Sequence, residues 1–501
     1  MNYYQATERI SSLPVICLIS GITVGIVTPK EYDSYITICA FGLALANVIL
    51  WLRPRYRLQT LHRLLLMVNF ALFGLLSYHI NSTDIAVERG DGEAYGYIDR
   101  YARDNEERTS AAFNAERLRV NNKLYTDIEG TAYFSDEIDL VVPGEYYKIF
   151  GTVDRNSRDS TVFRFYVERF EKDTTQLATI PSAIYHLREW TETALIKCGY
   201  DNENIGLLLA LILGDKSKLD YKIRQDFSDC GIVHILAVSG LHVGIIYMFI
   251  SFIIKIPFRR KPVMAALLIL LLLWAYAIIT GLAPSIVRAT LMMSIYEIVR
   301  LGKRKTNPLS TLYVTLFLIL AIWPEHITSI GLWLSFAAVW GILLFYRPVS
   351  QVYQFRFPPF RYIHNSLTLS LVAQTATAPI ILLIFGTFPN LFLISNLLTV
   401  PLIAPIIIGS IIAMIATPIN ITAAEMIAAP VDDLLTFVRQ CAHHISSLDY
   451  SITTDIKFSI TECILFLLSL YFLKQWLNEG GHRNAIITTS LTLLLVIAGV
   501  Y

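Results

Sequence analysis

From Ile232 to Ala416 the sequence passes through one apolar run after another, most of them close to the roughly 20 residues that cross a bilayer. Wherever such a chain meets lipid, every backbone polar group must be paired internally, which restricts it to helices or a closed barrel. Composition agrees: 54% of residues are apolar and 16% charged, with a mean hydropathy of +0.51, whereas soluble domains carry nearer a quarter charged residues. Spans are expected near 13–27, 35–52, 61–80, 232–256, 263–282, 286–300, 309–323, 327–346, 366–388 and 391–416, with further segments near 421–441, 458–474 and 485–500. The fold class is a polytopic α-helical membrane protein of about 11 to 13 spans, some broken or re-entrant.

Charge orients these spans. The loop RPRYRLQTLHR between the second and third is strongly basic, as are FRRK after Ile256, RLGKRK at Arg300 and RPVSQVYQFRFPPFR at Arg347, while GLAPS, WPEH and GTFPN at Gly281, Trp323 and Gly386 carry almost no positive charge. Basic loops stay in the cytoplasm, so the N-terminus is expected inside and the third span delivers the following residues to the outer face. The first run, Leu13 to Val27, lacks a basic start and a clear cleavage site and is read as a retained span.

The interval from Asn81 to Asp173 differs from the rest, with 20 acidic against 13 basic residues. Its alternating runs KLYTDIEGTAYF, EYYKIFGTVDR and TVFRFYVERF, separated by Gly, Asn and Asp, predict an extracytoplasmic β domain of about five strands, an OB-like barrel. From 180 to 197, Ile184, Leu187, Trp190, Thr191, Ala194 and Leu195 share a helical face, suited to a membrane interface or to packing on the barrel. The expected organisation is a three-span segment over 1–80, the β domain over 81–178, an amphipathic interfacial helix over 179–200 and a transmembrane channel domain over 201–501.

Polar residues at membrane depth must face a bundle interior or a water-filled path. Asp215, His234, Ser239, Gly240, His242, Arg288, Gln374 and Asn396 are therefore candidates for lining a path. Gly206 to Leu213 is too short to span, and as a re-entrant or interfacial half-helix would leave Asp215 at a membrane mouth; as a simple terminator Asp215 would only cap a helix. On a single helix His234 and His242 would lie roughly 80° apart, which does not suit zinc, and SGLHVG is expected to be a broken or tightly packed span. Arg288 requires a carboxylate, a helix C-terminus or a phosphate, and Asp215 is one available partner. Gln374 in AQTATAP and Asn396 in SNLLTVPLIAP are expected to mark two further interrupted spans.

No catalytic group, metal or cofactor is assigned. The six cysteines form no CxxC pair, and Gly302-Lys303 has Glu297 where a phosphate-binding loop needs its first glycine.

Several motifs occur in the order of one known family: PGEYYKIFGTV, LLLALILGDKSKLD, HILAVSGLHVG, GLAPSIVRATLM, GLWLSFAAVWGI and AQTATAPIILLIFGTFPNLFLISNLLTVPLIAP. Over most of its length the chain resembles the ComEC-type competence family of inner-membrane DNA-uptake channels. That resemblance implies passage of single-stranded transforming DNA through the inner membrane, with a separate periplasmic DNA-binding protein and a cytoplasmic helicase as partners. Many members end in a metallo-β-lactamase-like domain carrying a His-x-His-x-Asp-His motif that this sequence lacks, so no nuclease role is expected. An OB-like domain binding single strands needs cations and aromatic platforms. Tyr146, Tyr147, Lys148 and Arg164, with Phe163, Phe165 and Arg169, are the candidates; otherwise the domain serves docking or gating. An intramembrane enzyme using Asp215, His234 or His242, or a small-solute or lipid transporter, remains the alternative.

Overall fold

The computed structural model describes residues 3–27, 59–81, 87–104, 108–134, 142–155, 163–177, 179–302, 307–353 and 355–479, with short pieces within 36–44 and 487–490. The expected spans at 35–52 and 485–500, and much of the basic loop before 59, lie outside those residues. The chain divides into two compact units. One comprises Met1–Asn81, Tyr221–Ala404 and Phe437–Tyr501, the other Ser82–Asp220 and Pro405–Thr436.

The second unit contains five strands, β1 (Gly90–Asp104), β2 (Arg108–Val120), β3 (Lys123–Phe134), β4 (Glu145–Arg155) and β5 (Phe163–Leu177), closed into a barrel in the order β1-β2-β3-β5-β4. All pairings are antiparallel except β3 with β5, which runs parallel over Gly130–Tyr133 and Phe163–Tyr166. Alternation sends Ala94, Ile98, Phe113, Leu118, Tyr147, Ile149, Phe163 and Phe165 into a fully buried core. The turn at Pro143-Gly144 enters β4, and the Gly144 N–H donates to the Ile98 carbonyl at 2.7 Å. Helix α3, Thr179–Lys197, follows β5 and buries Thr191, Ala194 and Leu195; Trp190, expected on the same face, is half exposed because it sits at that face's edge.

Helix α4, Asn202–Leu213, is buried from Asn204 through Leu213 and ends at Gly214 in the left-handed region. A helix apolar on every side packs inside its unit, which accounts for its short length. The Asn204 amide donates to Asp432 Oδ1 at 2.8 Å and Thr436 Oγ1 at 2.9 Å, tying it to residues far along the chain.

In the other unit, α1 (Tyr3–Val27) and α2 (Gln59–Asn81) approach through small residues. A β-carbon on Gly21 would stand 1.7 Å from the Ala71 carbonyl oxygen, and one on Gly74 would stand 2.3 Å from that of Leu18. Close backbone approach of this kind is how helices pack when the surrounding medium is itself apolar. The series continues with α5 (Tyr221–Asp229), α6 (Val233–Leu236), α7 (Gly240–Lys255), α8 (Pro262–Ile279), α9 (Pro284–Leu301), α10 (Pro308–Ile322), α11 (Ile330–Ser350), α12 (Pro358–Phe385), α13 (Phe392–Ala416), α14 (Ile421–Ser446) and α15 (Ile460–Glu479), the thirteenth and fourteenth running on into or out of the barrel's unit. Among the described residues, four helices are long and apolar enough to cross a membrane: Pro262–Ile279, Ile330–Ser350, Pro358–Phe385 and Phe392–Ala416.

The last two of these correct an expectation. Gln374 and Asn396 lie in continuous helices, although Pro379 is inside one and Pro401 and Pro405 inside the other. A proline removes one backbone bond at about 3 kcal/mol, whereas breaking the helix in apolar surroundings would strand several polar groups.

Gly144 provides a test of the barrel's attachment to α3. Its φ is +86°, and a β-carbon there would meet the Ser182 backbone at 2.4–2.5 Å. Gly144→Ala is expected to destabilise the protein by about 2–4 kcal/mol, read as a lowered thermal midpoint in detergent; an unchanged midpoint would show that the turn is free of that contact.

Candidate functional site

The motif HILAVSGLHVG folds as two helices with an extended break. Helix α6 ends at Ala237 (φ −96°, ψ 122°), Ser239 is also extended (φ −108°, ψ 172°), and α7 starts at Gly240. Ser239 and His242 form a capping box, so the first turn is specified locally by a serine at the N-cap and a side-chain acceptor three residues later. The Ser239 N–H donates to His242 Nδ1 at 2.9 Å. In the neutral ring the hydrogen therefore resides on Nε2. That nitrogen is buried without a hydrogen-bond partner among the described residues, on a side chain with no exposed surface.

The break places His234 and His242 on different helices, so the angular relation expected for a single helix does not apply. His234 is exposed and His242 enclosed. Across the break, Ser285 Oγ of α9 donates to the Val238 carbonyl at 3.0 Å, holding the extended segment against the start of α9.

One turn further along α9 lies Arg288, 4% exposed. Its Nε and Nη1 have no hydrogen-bond partner among the described residues, and its Cζ lies 5.6 Å from the Phe336 ring centroid. Its Nη2 stands 2.8 Å from where a β-carbon on Gly240 would be. The guanidinium thus occupies space that only glycine leaves open, at the first residue of a helix whose N-terminal end is itself partially positive. A buried cation without a counter-charge costs several kcal/mol. The carboxylate considered as its partner, Asp215, is engaged in its own unit by Arg188 at 3.8 Å and accepts from the Ser217 N–H at 3.0 Å. Asp215 therefore does what a terminating, turn-forming carboxylate does.

Ser239, Gly240, His242 and Arg288 are brought together; Asp215 belongs to the other unit. Gln374 Nε2 and Asn396 Oδ1 are buried in the helical unit without hydrogen-bond partners among the described residues. The residue that sequence reasoning passed over is Glu297. It has no exposed surface, accepts from the Tyr247 hydroxyl, and is paired with Lys255 at 3.0 Å and Arg300 at 2.6 Å. Its signal was a single carboxylate within the apolar run IVRATLMMSIYEIV. Among the described residues no group of three His, Cys, Asp or Glu side chains is arranged for a metal ion.

On the barrel, the residues considered for DNA contact divide by burial and by partner. Tyr147, Phe163 and Phe165 are in the core, and Tyr147 donates to Glu145 Oε2 at 2.8 Å. Tyr146 is 9% exposed, donates to Glu116 at 2.6 Å, and lies within 5.6 Å of the Tyr95 ring and 5.5 Å of Tyr97. Lys148 is paired with Glu93 at 2.8 Å, Arg169 with Glu171, and Arg164 is half-buried. Burial and then the Asp173 carboxylate push the Tyr95 phenol up to about 12, while the hydrogen bond to Glu116, followed by burial, raises Tyr146. Asp173 is held below the ordinary carboxylate range by Thr175, whose hydroxyl and N–H donate to it at 2.6 and 2.8 Å. Tyr146 and Tyr147 are thus enclosed and bonded to carboxylates, and Lys148 and Arg169 are each paired with one.

Comparison with known proteins places these features in a family. The family described as Competence protein matches residues 211–479, more than half of the chain. ComE operon protein 3 of Bacillus subtilis is 28% identical over 250 residues, covering 49% of this chain and 31% of that protein. An uncharacterized protein of Aquifex aeolicus is 30% identical over 200 residues (40% and 44%), and Recombination protein 2 of Haemophilus influenzae 24% over 264 (50% and 34%). The matches span less than half the length of each of these relatives. No solved structure matches the chain. The family match covers the break at Ser239-Gly240, Arg288 and the four long apolar helices, and the chain belongs to the Competence family, of the ComEC type.

Proposed function

We propose that this protein conducts single-stranded DNA across the bacterial inner membrane during competence, as a conduit and not as an enzyme. The observation that carries the reading is the polar break at Val238–Gly240 inside an apolar helical unit, where Arg288 and His242 keep buried donors unpaired. Hydrogen-bond donors scattered along an otherwise apolar path can relay a polyanion, whereas a continuous basic track would hold it too tightly. Two relatives bear on the assignment by their names, ComE operon protein 3 and the Competence protein ComA of Neisseria gonorrhoeae, the second 27% identical over 150 residues.

In this reading the N-terminus is cytoplasmic and the barrel extracytoplasmic. The strand order, with β3 parallel to β5, supports an OB-like barrel. Its enclosed tyrosines and paired cations favour docking or gating over capture of single strands. Strand capture and the driving force then fall to a separate periplasmic DNA-binding protein and a cytoplasmic helicase. An acid-base role for Asp215 is disfavoured by its engagement with Arg188 and Ser217.

Labelled duplex DNA offered to a transformable host tests the reading. In a strain without this gene, label is expected to reach the periplasm and not the cytoplasm; undiminished cytoplasmic entry refutes it. Asp215→Asn should leave entry within about twofold of the parent, since an amide keeps the turn bond and loses only an ion pair that is long, at 3.8 Å. Abolished entry would instead support proton transfer at that carboxylate.

A further inference from the structure

We infer that Arg288 and the first turn of α7 form a binding site for one phosphodiester group of a nucleic-acid backbone, a role that rests on the uptake reading for the identity of its ligand.

The site offers donors. Arg288 presents Nε and Nη1 without partners, from a side chain 4% exposed. Its Nη2 is against Gly240. The capping box uses the N–H at the third position of α7, and helix geometry leaves the N–H groups of Gly240 and Leu241 without acceptors within the helix. His242, in the same turn, carries a buried Nε2 with no partner, protonated by the tautomer that Ser239 imposes.

A guanidinium placed at the positive end of a helix is a like-charged pairing, and an anion is what makes the two compatible. The planar fork selects an oxyanion with two oxygens available, which a phosphodiester provides. Gly240 supplies the close approach that a side chain would block. Phe336 covers the guanidinium from α11, so the cation faces the interior of the helical unit and not its lipid-facing surface. Ser239 and Gly240 are only half-buried, which leaves the site open from the side of the break. This placement favours a backbone moving through the unit over a lipid headgroup bound at its perimeter.

The test uses the full-length protein in phospholipid-free detergent. Thermal midpoints and affinities are measured with a short single-stranded oligonucleotide, the same sequence with an uncharged methylphosphonate backbone, inorganic phosphate, and phosphatidylglycerol. The charged oligonucleotide should raise the midpoint and the methylphosphonate should not. R288Q should weaken oligonucleotide binding about tenfold or more, R288K should retain part of it, and G240A, which crowds Nη2, should weaken it with the charge intact. Equal affinity in parent and R288Q overturns the site, as does equal protection by the uncharged backbone or protection by phosphatidylglycerol alone. Should R288Q fail to fold, unchanged affinity in G240A has the same force. If oligonucleotide protection depends on Arg288 while a strain without the gene still admits label, the site stands and the uptake reading falls. If entry requires the gene yet R288Q admits label at the parental rate, the site falls and the uptake reading stands.

Discussion

An apolar surround gives a polar group nothing to bond to, and the helical unit is arranged around that constraint. Its helices run through prolines at 379 and 401 without breaking, because the loss of single backbone bonds costs less than unwinding. Where the backbone does break, between Ala237 and Gly240, each group nearby has a local solution: Ser239 and His242 cap α7, and Ser285 bonds the Val238 carbonyl. Among the described residues, side-chain donors of Arg288 and His242 remain unpaired there, beside the N–H groups of the first turn of α7.

The treatment of charge elsewhere sharpens the contrast. Glu297, enclosed in the same helix as Arg288, is surrounded by Tyr247, Lys255 and Arg300. In the barrel's unit, Asp215 has Arg188. Among the described residues these two enclosed carboxylates each have a cation beside them, since an unpaired buried charge is strongly destabilising. Arg288 departs from that pattern, at a position where Gly240 leaves room beside it. A departure of this kind is what a site for a passing anion requires: complete internal pairing would remove its affinity for a ligand.

Much of this was legible in the sequence. The break at SGLHVG follows from a serine, two glycines and a histidine in an apolar run, and the barrel's inward residues follow from strict alternation in EYYKIFGTV and FRF. Two things were not. Tyr146 and Tyr147 are adjacent, so alternation exposes one of them; in the fold one enters the core and the other lies against Tyr95 and Tyr97, a contact set by the pairing of Tyr146 with Tyr97 across β4 and β1. The partner of Asp215 was illegible because Arg188 reads as an ordinary polar position of an amphipathic helix, 27 residues earlier. Periodicity reports which face a residue occupies, whereas charge pairing is decided by tertiary geometry.

The central claim is that the break at Ser239 borders an aqueous path through otherwise apolar surroundings. Its most direct measurement is the reaction rate of Ser239→Cys with a membrane-impermeant thiol reagent in intact membranes, after replacing the six native cysteines. Val243→Cys, a few residues along α7 and fully enclosed, serves as the reference. Rapid modification at 239, slowed when single-stranded DNA is held in transit, with little at 243, is the expected result. Equal inertness at both positions would mean that the break is sealed by packing, and the path would have to lie elsewhere.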